Sequence, residues 1–208
     1  SGGTLILEGR RKELQRRLVT AGQCEWSSGN IRFSNGTFVN AVGGEMDVTL
    51  SGNLEWNGGE NRFINEGVIR KVGEGQLEAN ASVGFDNRGE IDVQLGSLVL
   101  SGGGTSSGEY LLNEGVSLSY TGGDTVLTET SGLRGAGSVS FTGGNTQIGG
   151  AYEMGGLTSI SGGRVGFNGD RSIGEIVLSG GTLEGSGVME IRDRFSWSGG
   201  TLRGSGET

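Results

Sequence analysis

The residues best suited to chemistry in this chain are two clusters of carboxylates interleaved with arginine. One is Glu190, Arg192, Asp193 and Arg194, and the other is Asp86, Arg88, Glu90 and Asp92. Paired carboxylates with a nearby cation are what a polysaccharide lyase or hydrolase uses to move protons at a sugar ring. In both clusters, however, opposite charges alternate over neighbouring positions, as they do on any solvated strand face. No two of these carboxylates can be placed together from their spacing alone, so the sequence favours the non-catalytic reading.

Other chemistries are excluded more firmly. With no histidine in 208 residues, Ser-His-Asp triads, Cys-His pairs and most zinc sites are ruled out. Cys24 is the single cysteine, so no internal disulfide forms. It lies two residues before Trp26 and shares its face, as a small buried hydrophobe would. A calcium-binding β-roll needs aspartate repeated after its glycines, but the glycine pairs here continue into Asp124, Asn145, Arg164 and Thr201. Ice binding by a threonine array has only Thr128-Glu-Thr130 to offer. No catalytic, cofactor-binding or metal-binding residue is assigned, and no ligand-binding residue is identified.

The net charge of −8 argues against nucleic acid, which needs clustered cations to neutralise phosphate. One basic cluster exists, at Arg10, Arg11, Lys12, Arg16 and Arg17. Leu14 and Leu18 within it have the i, i+4 spacing of a short capping helix. Alternatively both leucines point inward from strands while the charges coat the surface, and Val19-Thr20 favours this second reading. A phosphate or acidic-glycan site at the cluster is a minor alternative. No stretch approaches the roughly eighteen apolar residues of a membrane-spanning helix.

The elements that must carry these residues are set by a repeat. An apolar residue followed by Ser/Thr-Gly-Gly recurs at Leu100, Tyr120, Phe141, Ile160, Leu178 and Trp197, with spacings of 20, 21, 19, 18 and 19 residues. The flanking segments alternate, as in Ser138-Val139-Ser-Phe141, Gly174-Glu-Ile176-Val-Leu178 and Met189 to Trp197, which marks strands with one buried face. The fold predicted is all-β: a single-stranded right-handed parallel β-helix of about 20-residue coils, nine or ten in number, forming a rod about 45 Å long. The six apolar residues then stack as one internal ladder, so Tyr120 and Trp197 read as core and not as ligand platforms. Forty-six glycines and no proline fit the corners of such coils, and 32% apolar content suffices for a thin core.

The first half has a different pattern. Glu25-Trp26 through Asn35 returns at an offset of 30 as Glu55-Trp56 through Asn65, with Gly29 and Gly59 in step. Phe85-Asp-Asn87 and Leu112-Asn113 are looser echoes. Asn35, Asn65, Asn87 and Asn113 read as corner residues, and stacked asparagines can also form an internal amide ladder. Residues 1–208 are read as one continuous solenoid, with the Trp/Phe-x-Asn-x-Gly pattern over 1–95 and the apolar-Ser/Thr-Gly-Gly pattern over 96–208. Ser1-Gly-Gly-Thr-Leu5 returns at Ser198-Gly-Gly-Thr-Leu202, which suggests a segment of a longer repetitive protein.

The runs Gly181 to Gly187, Phe195 to Gly206 and Phe85 to Val93 resemble the glycine-rich β-helical repeats of large bacterial surface and secreted proteins, broadly akin to adhesins and autotransporter passengers. That resemblance implies an extracellular or cell-surface location and a non-enzymatic shaft or spacer. It supplies no cofactor, catalytic or metal residue. Partners would be glycans or surface proteins of a host or matrix, with no nucleic acid and no membrane insertion. A binding module using a lateral face is the alternative, and a polysaccharide lyase or hydrolase a weaker one. End-to-end self-association through exposed sheet edges is a further expectation.

Overall fold

A computed structural model describes residues 3–208. Within them the chain forms twenty-eight strands and no helix. Every strand pairing is parallel, as in a β-solenoid. Each coil contributes strands to three faces. Coil 1 supplies Leu5–Leu7 to the first face, Lys12–Leu14 to the second and Arg17–Thr20 to the third. The second face is a single sheet of ten strands, one for each coil, running from Lys12–Leu14 to Met189–Trp197. The first face holds eight strands. The third is split into a four-stranded sheet and a six-stranded one, which begins at Gly104–Ser106.

The six Ser/Thr-Gly-Gly coils stack as their spacing predicts. Leu100, Tyr120, Phe141, Ile160, Leu178 and Trp197 are register partners in successive coils. The first five are buried, and the rings of Tyr120 and Phe141 stack at 5.3 Å. Trp197 departs from the expected core position. It is 54% exposed, because among the described residues no strand covers its coil.

The glycine pairs have a definite cause. The second glycine of each pair, at Gly103, Gly123, Gly144, Gly163, Gly181 and Gly200, holds φ between +67° and +81°. Each also lies against the backbone of the adjacent coil, so a Cβ at Gly163 would come within 2.5 Å of the Gly144 carbonyl oxygen. Left-handed backbone and close main-chain approach both demand glycine.

The 30-residue echo is local and does not describe stacking. Trp26 belongs to the first face, where its partners are Leu7 and Val48, whereas Trp56 belongs to the second face and pairs with Phe33. The two segments share a corner in which the indole N–H donates to the glycine carbonyl three residues on, Trp26 to Gly29 at 2.7 Å and Trp56 to Gly59 at 3.2 Å. The true third-face ladder aligns Phe38, Phe63 and Phe85, whose rings stack at 5.1 and 5.2 Å.

Beside that stack runs a buried amide ladder. Asn40 Nδ2 donates to Asn65 Oδ1 and Asn65 Nδ2 to Asn87 Oδ1, each at 2.8 Å, and Asn87 Nδ2 donates to the Glu109 carbonyl at 2.9 Å. The corner reading of Asn65 and Asn87 is therefore corrected, because both lie inside. Asn35 is a corner residue with φ 56°, and Asn113 is an exposed corner residue. The Ser-Gly-Gly-Thr-Leu echo falls partly outside the described residues. Its two leucines also differ in place, with Leu5 on the first face and Leu202 on the third.

Candidate functional site

The two carboxylate clusters do not converge. Asp86 lies near the end of a third-face strand and is buried, with one oxygen 2.8 Å from Arg62 and the other accepting the Thr105 amide at 2.8 Å. Glu90 and Asp92 lie around the corner on the first face, and Arg88 pairs with Glu66 at 3.1 Å. In the other cluster Arg194 pairs with Glu175 of the coil beneath, its Nε 2.8 Å from the carboxylate. Glu190 shares an open depression with Asp170 and Arg171, but not with Asp193. There Arg171 is committed to backbone carbonyls, at Gly149 (3.0 Å), Asn168 (2.6 Å) and Asp170 (2.7 Å), and Asp170 holds the Val188 amide at 2.8 Å. These charges tie coils together.

Lys12 and Arg17 of the basic cluster sit on strands and Arg10, Arg11 and Arg16 in the connecting segments, with Leu14 buried and Leu18 packed on the core, as the strand reading expects. Its cations are spread over two faces and the corners joining them, and Lys12 donates to the Ser28 carbonyl. Cys24 is buried and free, and burial with Asp47 and Glu25 nearby pushes its thiol up to about 12. Among the described residues no group of three or more Cys, Asp or Glu could hold a metal ion, and no helix is long and apolar enough to cross a membrane.

The strongest local feature is a cleft on the corner that follows the second face. Strand Gly52–Trp56 of coil 3 runs two residues beyond Leu54, the partner of Ala79 in coil 4. Coil 4 turns away at that point through Asn80, Ala81 and Ser82, so nothing stacks on the Trp56 ring, which is 51% exposed. Ser82 makes the turn with φ 88°, one of only two non-glycine residues with positive φ among the described residues. By register Asn80-Ala-Ser82 stands where coil 5 has Ser101-Gly-Gly103, so Ser82 occupies a glycine's place. A non-glycine residue held there costs on the order of 1–3 kcal/mol, and such strain gathers at functional sites.

The resulting cleft, about 400 Å³, is lined by Trp56, Glu78, Asn80, Ala81, Ser82 and Ser101. The Trp56 indole is fixed by its bond to Gly59. The Asn80 Oδ1 is enclosed without a hydrogen-bond partner, which leaves one acceptor unused. An aromatic face bordered by a carboxylate, an amide and two hydroxyls suits a ligand with one apolar side and many hydroxyls. None of these lining residues stands out in the sequence by composition. The signal that could have found them is the break in the corner pattern, Asn-Ala-Ser in place of Ser/Thr-Gly-Gly.

The second face changes character next to this cleft. In coils 1 to 4 its two outward columns nearest the cleft's corner include Arg11, Glu13, Arg32, Glu55 and Glu78. From coil 5 onward the same two columns carry no charge. Val99, Ser119, Ser140, Ser159, Val177 and Ser196 form one, and the Ser or Thr of each glycine motif forms the other. Neighbouring hydroxyls bond along the rod, Ser101 to Thr121 at 2.6 Å and Ser119 to Ser140 at 2.7 Å. Glu175 and Arg194, one column further from the corner, pair with each other. Comparison with protein-family models, with curated proteins and with solved structures finds no match to this chain.

Proposed function

We propose that this chain is a non-enzymatic structural rod, the shaft or spacer of a large extracellular surface protein of the adhesin kind. The observation that carries this reading is the unbroken second face, ten parallel strands in register from Lys12 to Trp197. Such a stack fixes the distance between its ends, since each coil adds about 4.8 Å and pairs its backbone only with its neighbours. The absorption of nearly every Arg–carboxylate contact into coil-to-coil ties agrees with a load-transmitting role. Spin labels on the first and last coils test it. The expected separation is fixed and shortens by about 4.8 Å when one whole coil is deleted; a broad or unchanged distance overturns the spacer reading. Antibody labelling of intact cells tests the location, and labelling only after permeabilisation would count against it.

A second reading, a lateral binding surface, is favoured by one feature, the uncovered Trp56 cleft with its strained wall. The two readings are compatible, because a rod that holds its ends apart also displays its sides.

A further inference from the structure

We propose that the Trp56 cleft binds a neutral glycan, with one pyranose ring stacked on the indole and the chain continuing along the uncharged columns of the second face. The inference rests on the lateral-binding reading and gives it a ligand class.

Three observations carry it. The aromatic platform is rigid and open: coil 4 turns aside at the expense of a left-handed Ser82, and the Trp56 ring is held by Gly59. An indole face attracts the slightly positive C–H groups on one side of a pyranose ring by the same quadrupole that draws cations to aromatics. The polar rim is suited to hydroxyls, since the Glu78 carboxylate accepts while Ser82 and Ser101 both donate and accept.

Charge then selects among glycans. Glu78 in the cleft and a net charge of −8 oppose an acidic sugar. From Ser101 onward, the two columns beside the corner present only serine, threonine and two valines, Val99 and Val177. A neutral chain crosses that surface without desolvating any charge. A protein partner would find few of the pockets and large side chains that anchor protein interfaces.

The test is a printed array of neutral and acidic glycans, followed by titration of the best neutral hexasaccharide and its disaccharide by calorimetry. Expected is retention of neutral glycans only, with the hexasaccharide several-fold tighter than the disaccharide. Trp56→Ala should weaken it at least tenfold, Trp56→Phe should keep most of the affinity, and Trp197→Ala should leave it unchanged. Circular dichroism and the end-to-end distance of each variant separate lost binding from lost fold. If acidic glycans or proteins bind through Trp56 instead, the cleft stands and the ligand class is overturned. If no ligand depends on Trp56, the proposal and the lateral reading fall together while the rod reading stands.

Discussion

At the scale of single residues, most buried polar groups are answered from their own coil or the next one. The Asn40–Asn65–Asn87 ladder is answered at each step, and Tyr110 and Tyr152 find Ser106 and Thr158 at 2.8 and 2.7 Å. Among the described residues two fully buried side chains keep an oxygen without a partner, Asn40 Oδ1 at the head of that ladder and the Tyr120 hydroxyl. An unpaired buried hydroxyl costs on the order of 1–3 kcal/mol. Tyr120→Phe keeps the ring stack on Phe141 and removes that cost. It should stabilise the protein by about 1 kcal/mol, raising the thermal midpoint by roughly 2–4 °C. A lower midpoint in calorimetry would mean that the hydroxyl has a partner in solution.

Lys71 poses the same problem with a charge. It takes its place in the first-face ladder between Val48 and Val93, 1% exposed, with its ammonium donating to the Gly73 carbonyl and more distantly to that of Leu95. Burial lowers its pKa below the ordinary 10.5. The unfolded chain therefore holds a proton that the folded one sheds, and stability from this group rises with pH up to 10.5. Lys71→Met should be more stable than the parent at pH 7, with the advantage shrinking as pH approaches 10.5. Denaturant midpoints across that range check it, and an advantage independent of pH would refute the desolvation argument.

At the scale of the coil, the glycine corners divide into two kinds. Gly43 has φ 81° and open space where a Cβ would stand, with nothing within 4 Å, while Gly163 has φ 68° and meets the Gly144 carbonyl. Gly43→Ala should cost about 1 kcal/mol of backbone strain alone. Gly163→Ala should cost more than about 2 kcal/mol, because strain and main-chain collision add. Equal losses in chemical denaturation would show that the stack of corners can spread.

These corners also explain what could be read in advance. Leu100-Ser-Gly-Gly and its five successors give the second face directly, since one glycine in each copy is compulsory and cannot drift. The third-face ladder of Phe38, Phe63 and Phe85 was hidden, because Trp26-x-x-Gly29 and Trp56-x-x-Gly59 build the same local corner on different faces and imitate a stacking period. The exposure of Trp56 was hidden for another reason: it depends on coil 4 turning early, an event twenty-odd residues away. The hydroxyl columns were legible in part, as the Ser-x-Thr of Ser119-Tyr-Thr121 and Ser140-Phe-Thr142 repeats from coil to coil.

At the scale of the whole molecule, alkaline pH is the common threat to the core. Burial raises the pKa of Tyr110, Tyr120 and Tyr152 above the ordinary 10.0, and that of Cys24 from 9.0 to about 12. The folded state keeps protons that the unfolded state releases, so these groups lose stability as pH climbs past 9 to 10. Opposing this, Glu45 and Glu184 are held below the ordinary 4.5 by hydrogen bonds from Arg70 and Arg203, so their contribution is lost as pH falls below 4.5. Glu45 is well exposed and Glu184 partly so, and the acid loss should be shallow and the alkaline loss steep. A thermal-midpoint profile that falls more steeply in acid than in base would contradict this.

The basic residues of coil 1 have one more effect. The first coil bears five positive and two negative side chains, whereas the rest of the chain bears eleven positive and twenty-two negative. The imbalance lies at one tip of a long, narrow body, so the molecule is an electric dipole directed along its own axis. In dilute salt it should align in an applied field and show electric birefringence. Rods crowded on a surface would settle best with the positive tip of each beside the negative flank of another, staggered in height.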